Sequence, residues 1–208
     1  MDRGRGGVFA DVNPNQEKHM LHLTRAPRRA IMLGAALAAT FGLAAAAGSA
    51  QAAEPLPTGT PLEFVFEHSG KVANVAENRS DVGAPLIQWP DVNGGYVNDQ
   101  FKLAQAPASM FGPNRYYIQP MNALNRYVGT KCGKCQVELM APSLGNSTVW
   151  HAEASGDGYL HLVNQATNQA MNVSGASTAN GALIGVWPRQ IWPASPWHND
   201  HILVRAGS

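Results

Sequence analysis

The chain has 208 residues, with 15 Lys and Arg against 14 Asp and Glu for a formal charge of +1, and only two Cys. Six of the basic residues fall within the first 52 positions, so no basic patch is left further on to attract phosphate, and nucleic acid is excluded as a partner. Two cysteines allow one intrachain bridge, not a disulfide framework.

The N-terminal region reads as an address. Arg25, Arg28 and Arg29 precede a 17-residue apolar run from Ile31 to Ala47 that is dominated by Ala. Ala50-Gln51-Ala52 then supplies an A-x-A cleavage signal, which makes residues 1–52 a targeting segment and Ala53 the first mature residue. A membrane anchor is the competing reading. It is the weaker one, because the run is short and Ala contributes little transfer free energy. Arg28-Arg29-Ala30-Ile31-Met32-Leu33 is similar to a twin-arginine signal, which exports a folded chain. The polar stretch before Met20 makes Met20 a second candidate start. The expected localisation is secreted, by a bacterial-type signal, with no stable membrane insertion. The remaining 156 residues carry nine basic and eleven acidic side chains, a formal charge of −2, and suffice for one domain.

Ala53 to Pro61 holds three Pro and one Gly and is expected to be an extended linker. From Leu62 to Ala206 helical periodicity is nearly absent. Short β-rich runs recur instead: Glu63-Phe64-Val65-Phe66, Leu86-Ile87-Gln88-Trp89, Gln100-Phe101-Lys102-Leu103, Tyr116-Tyr117-Ile118, Val137-Glu138-Leu139-Met140, Thr148-Val149-Trp150, Tyr159-Leu160-His161-Leu162 and Ile202-Leu203-Val204. Turn clusters separate them, such as His68-Ser69-Gly70-Lys71, Asn93-Gly94-Gly95 and Ser155-Gly156-Asp157-Gly158. Many short strands at regular spacing predict an all-β barrel or sandwich.

One pattern occurs twice. Asn74-Val75, Gly83-Ala84, Trp89 and Asn98-Asp99 recur as Asn172-Val173, Gly181-Ala182, Trp187 and Asn199-Asp200, 98 residues later for the first three and 101 for the last. Twice a period of about 49 implies a middle copy. Tyr116-Tyr117-Ile118 opens it, Gly129 stands in the place of Asn74, and Trp150 closes it 49 residues after Phe101 and 52 before Ile202. Nothing near Glu138-Leu139 matches Trp89, so this unit keeps the core and lacks the polar set. Phe101, Trp150 and Ile202 are therefore the expected core positions.

Cys132-Gly133-Lys134-Cys135 lies between two strand-like flanks. In an exported chain the default is a Cys132–Cys135 disulfide within a hairpin; a redox pair or half a zinc site are the alternatives. His198 and His201 are three apart near a turn, but two ligands without a third do not make a metal site, and no metal or cofactor is assigned.

These residues resemble the ricin-type β-trefoil lectin domain. That family's repeat has an aromatic opening strand, Ser-Gly-Lys-x-Leu-Asp-Val, Gly-Ala-x-Val-x-Gln-Trp, an Asn-Gly-Gly turn and Asn-Gln-x-Trp. The first unit matches with Ser69-Gly70-Lys71-Val72-Ala73-Asn74-Val75, Gly83-Ala84-Pro85-Leu86-Ile87-Gln88-Trp89, Asn93-Gly94-Gly95 and Asn98-Asp99-Gln100-Phe101. The third has Ser177-Thr178-Ala179-Asn180-Gly181-Ala182 and Trp187, then a longer segment rich in Pro and Trp. The resemblance implies a β-trefoil of three pseudo-repeats over residues 62–206. It also implies two carbohydrate sites: Asn74, Trp89, Asn98 and Asp99 in one, and Asn172, Trp187, Asn199 and Asp200 in the other. Both depart from the family alike, with Asn for the Asp of Leu-Asp-Val and Asp for the Gln of Asn-Gln.

The chemistry suits a sugar. A Trp face stacks on ring C–H groups, and amides or carboxylates fix the hydroxyls in direction. The same Asn and Asp side chains also cap turns by bonding backbone, and that structural role stands beside the binding role. The leading expectation is a secreted, non-catalytic, lectin-like protein whose partner is a glycan or polysaccharide. The alternative is a protein-interaction or receptor-binding trefoil, such as a toxin binding subunit, with Trp192 and Trp197 of the Pro188 to Trp197 insert as anchors. No paired acids or Ser-His-Asp set points to an enzyme.

Overall fold

The computed structural model describes residues 53, 55–92, 97–143, 145–155, 157–189 and 197–207. The targeting segment 1–52, the Asn93-Gly94-Gly95 turn and residues 190–196 of the Pro/Trp-rich insert, Trp192 among them, lie outside these residues. No helix among the described residues is long and apolar enough to cross a membrane.

Twelve strands are described. In order they are β1 (Leu62–Phe66), β2 (Val72–Val75), β3 (Leu86–Trp89), β4 (Phe101–Gln105), β5 (Tyr116–Pro120), β6 (Tyr127–Thr130), β7 (Val137–Met140), β8 (Val149–Ala154), β9 (Leu160–Asn164), β10 (Ala170–Val173), β11 (Ile184–Trp187) and β12 (Ile202–Ala206). Six of them close a ring: β1 pairs with β4, β4 with β5, β5 with β8, β8 with β9, β9 with β12, and β12 with β1, every pair antiparallel. Closure removes the exposed sheet edges that an open sheet would present. The other six form three hairpins, β2–β3, β6–β7 and β10–β11, linked to one another by the bridges Pro85↔Glu138, Gln136↔Gly185 and Ile87↔Leu183. This is a β-trefoil, as the repeat predicts.

Register places the units in step. Asn74 pairs with Ile87, Gly129 with Glu138 and Asn172 with Gly185; Val72 pairs with Trp89, Tyr127 with Met140 and Ala170 with Trp187. Gly129 thus occupies the place of Asn74, and Met140 that of the two tryptophans. The closing positions Phe101, Trp150 and Ile202 are all buried in one core with Phe64, Ile118 and Leu162 from the opening strands. The Trp150 indole Nε1 donates to Val128 O at 2.8 Å, so its polar atom is satisfied inside the barrel.

Two features depart from the sequence reading. A single helical turn, α1 (Ala108–Phe111), starts just after Pro107, whose fixed φ suits the entry to a helix. The Pro-rich segment before β1 has no regular structure but is not free of the barrel. Leu56 packs against the core, its N–H donates to Tyr116 Oη at 2.9 Å, and Gly59 N donates to Leu103 O at 3.1 Å. The linker composition is silent about this docking, because one Leu among prolines carries no periodicity.

Candidate functional site in the third repeat

The hairpin β10–β11 and the run into β12 build one groove of about 560 Å3, whose lining includes Asn172, Trp187, Trp197 and Asn199. Lys134, Cys135 and Gln136 of the middle repeat form its other wall. Trp187 and Trp197 are 45% and 61% exposed, while Asn172 and Asn199 are buried at the base. Asn199 Nδ2 donates to Val173 O at 2.6 Å, which ties the run into β12 to the end of β10. Asn172 Nδ2 and Asn199 Oδ1 have no hydrogen-bond partner within the protein. Two large apolar rims over a polar floor are what a ligand with both C–H faces and hydroxyls needs.

Asp200 does not line the groove. It is buried, with its carboxylate 3.4 Å from His161 Nδ1. The sequence-predicted set of the third repeat is therefore split: Asn172, Trp187 and Asn199 come together, and Asp200 turns inward.

In the first repeat Trp89 is 42% exposed, and Asn74, Asn98 and Asp99 are buried. Asn98 Nδ2 donates to Asn74 Oδ1 at 2.8 Å and to Val75 O at 2.9 Å, so the two amides of the candidate site bond each other and the backbone. Asp99 also faces inward. Its carboxyl is pushed above the ordinary range, first by burial and further by the nearby charges of Glu63 and Asp91, with Arg205 opposing. Glu63 occupies the strand position that His161 holds in the third repeat, 98 residues on. One Asp thus faces an acid and the other an imidazole.

The cysteines are joined as a Cys132–Cys135 disulfide in the β6–β7 turn, between strands and at no helix N-terminus. That turn acts on the neighbouring repeat. Lys134 takes φ of 58° and holds its ammonium 4.7 Å from the centre of the Trp187 ring, a cation–π contact. Its N–H donates to Gln169 Oε1 at 2.8 Å. Val186 N donates to Cys135 O at 2.9 Å, in step with Gln88 N to Ala182 O and Leu139 N to Ala84 O. Lys134 therefore stands where the other turns carry Gly83 and Gly181, both at positive φ. Gly185 allows this approach, since a Cβ there would lie 3.0 Å from Cys135 O. Sequence reading missed Lys134 as a site residue. Counting back from the hairpin register was the signal that locates it.

Among the described residues the middle repeat has no matching site. A Cβ at Gly129 would lie 2.6 Å from Met140 Sδ and 2.7 Å from Ser147 O, so the place of Asn74 and Asn172 is already filled.

Residues 98–187 match the family described as ricin-type β-trefoil lectin domain-like. The fold of the described residues is a β-trefoil, and residues 98–187 of it are similar to that family. Among solved structures it is similar to a designed threefold-symmetric protein, ThreeFoil, at 24% identity and a TM-score of 0.60, covering 69% of this chain and 96% of that one. It is also similar to the C-half of an earthworm R-type lectin in complex with GalNAc, at 14% identity and TM-score 0.53, covering 71% and 98%. A third likeness is to an exo-β-1,3-galactanase from Clostridium thermocellum, at 21% identity and TM-score 0.61; this covers 74% of this chain but spans only 32% of the galactanase. At these identities the likeness establishes the fold. No curated protein matches the chain in sequence.

Proposed function

We propose that this protein is a secreted, non-catalytic carbohydrate-binding domain whose principal site is the third-repeat groove. The observation that carries the reading is the pairing of two exposed indoles, Trp187 and Trp197, with the buried amides of Asn172 and Asn199 in one groove. A sugar ring stacks on an indole face, and the amides of the floor direct its hydroxyls. Lys134 over Trp187 adds a donor at the mouth and fixes the ring's orientation. The ricin-type fold supports the same ligand class, and the earthworm relative of this fold is a complex with GalNAc.

Trp89 of the first repeat is the second, weaker site. Asn98 Nδ2 and Asn74 Oδ1 are spent on each other, which leaves Asn98 Oδ1 unpaired there against Asn172 Nδ2 and Asn199 Oδ1 in the third repeat. Two sites on one rigid body would raise avidity on a polysaccharide.

A glycan array, followed by titration calorimetry on the best ligand, tests the reading with wild type, Trp187→Ala and Trp89→Ala. Binding by wild type and at least a tenfold loss in Trp187→Ala are expected. No glycan bound by wild type, or full affinity kept by Trp187→Ala, would overturn it.

A further inference from the structure

Four side chains from three separate segments point one atom each at a common centre. Glu67 follows β1, Asp157 lies in the β8–β9 turn, and His198 and His201 lead into β12. Glu67 Oε2 is 2.9 Å from both His198 Nδ1 and His201 Nδ1. Asp157 Oδ2 is 2.9 Å from His201 Nδ1 and 4.0 Å from His198 Nδ1. All four ligand atoms lie within 4.8 Å of one another. From these contacts we propose that Glu67, Asp157, His198 and His201 form a binding site for a zinc-class divalent transition metal.

Charge and geometry both favour a shared cation. A neutral imidazole presents one proton or one lone pair at Nδ1, so a single Nδ1–H on His201 cannot serve two carboxylate oxygens at 2.9 Å with good alignment. A dication uses one lone pair from each of the four atoms and cancels both carboxylate charges. Metal–ligand bonds of about 2.0–2.2 Å in a tetrahedron set ligand atoms roughly 3.3 Å apart, which lies between the 2.9 and 4.0 Å seen here. Two nitrogen and two oxygen donors select zinc and its neighbours over calcium or magnesium, which take mainly oxygen.

The outer shell is in place too. Asp157 Oδ1 accepts from Tyr159 N at 3.1 Å and from the Ser155 hydroxyl, which turns Oδ2 toward the histidines. His201 is buried, whereas His198, Glu67 and Asp157 are partly open, so an ion can enter from solvent.

The fold does not demand this cluster. The backbone contact beneath it, Glu67 N to His201 O at 3.0 Å, recurs as Met121 N to Gln100 O and Gln165 N to Val149 O, each 2.8 Å. The equivalent side chains there are Met and Gln, or Gln and Val, and the barrel closes equally well. Of the three equivalent places among the described residues, the seam joining the first and last strands carries the ligand set. A metal there would pin residues 197–201, and with them the rim and floor residues Trp197 and Asn199 of the groove. The sequence showed only the His pair, since Glu67 and Asp157 are 131 and 41 positions from His198.

The test uses metal alone and does not depend on what the groove holds. The chain is stripped with EDTA and titrated with ZnCl2 or CaCl2 by calorimetry, with thermal melts alongside. One zinc per chain is expected, with a raised Tm and calcium binding at least a hundredfold weaker. His198→Gln and Asp157→Asn, both at partly open positions, should each weaken zinc at least tenfold while circular dichroism keeps the wild-type β spectrum. His151→Ala, in the separate His151–Glu153 pair, should leave zinc affinity unchanged. The proposal is overturned by absence of stoichiometric zinc binding, by wild-type affinity in both site variants, by loss in His151→Ala instead, or by calcium binding as tightly as zinc.

Discussion

The first and third repeats carry the same motif at the same register, yet they put it to different use. In the first, Asn98 bonds Asn74 and Val75, and the two amides close on each other. In the third, Asn199 bonds only the backbone of Val173 among the contacts seen at its amide nitrogen, and Asn172 keeps an Nδ2 without a protein partner. Their aromatic neighbours differ in parallel. The place of Gly181, whose missing Cβ would lie 3.9 Å from the Trp89 ring, is taken at Trp187 by Lys134 from the disulfide turn. Equal motifs therefore do not make equal sites. What each repeat presents is decided by the turn that a neighbouring repeat lays against it.

The largest expected difference is in stability. Asn98→Ala removes two buried hydrogen bonds and leaves Asn74 Oδ1 and Val75 O unpaired, a loss of about 2–4 kcal/mol. Asn199→Ala removes one such bond and should cost about 1–2 kcal/mol. Urea unfolding of the two variants measures this directly; equal losses would break the comparison.

Cys132→Ser with Cys135→Ser comes next. A four-residue loop contributes at most about 2 kcal/mol of chain entropy, so the fold should survive. Because the turn walls only the third-repeat groove, its loss should weaken binding there and leave a Trp89-dependent component unchanged. A glycan titration on Trp89→Ala and Trp187→Ala backgrounds would show it.

Smaller again, Trp187→Ala should lower glycan affinity about tenfold, close to 1.4 kcal/mol, and Trp89→Ala no more than about threefold. The reverse order would move the principal site to the first repeat. The smallest effect is electrostatic. Burial holds the Asp99 carboxyl above its ordinary pKa, so the folded chain keeps that proton more tightly than the unfolded chain does. Its contribution to stability is full in acid and is lost as pH rises through the folded value. Asp99→Asn should thus be more stable than wild type at neutral pH, with the gap closing as pH falls through the ordinary carboxyl range. Asp200→Asn, which removes the carboxylate 3.4 Å from His161 Nδ1, should lower the Tm instead. Thermal melts from acid to neutral pH would separate the two.

Much of this was legible in the chain. The 98-residue offset, with Trp150 falling between Phe101 and Ile202, identifies three units, and the structure buries those three residues together. The exposure of Trp89 and Trp187 follows from their place at the end of a hairpin strand, where the period-2 alternation turns them away from the core. Gly129 in the place of Asn74 already showed that the middle unit lacks the amide.

Other features were illegible for a physical reason. Asp99 and Asp200 look identical in sequence, and their partners Glu63 and His161 sit on other strands of the ring. Lys134 belongs to one repeat by sequence and to the next by contact.

By itself, the sequence determined the repeat, the core positions, the disulfide pair and the residue types of the candidate site, because each is set by local spacing and side-chain chemistry. Tertiary structure alone decided which copy of the doubled motif opens as a groove, and that Glu67 and Asp157 meet His198 and His201. The first depends on one hairpin turn packing against the neighbouring hairpin, and the second on closure of a ring of strands that brings Glu67 to histidines more than a hundred residues away; no local pattern records either.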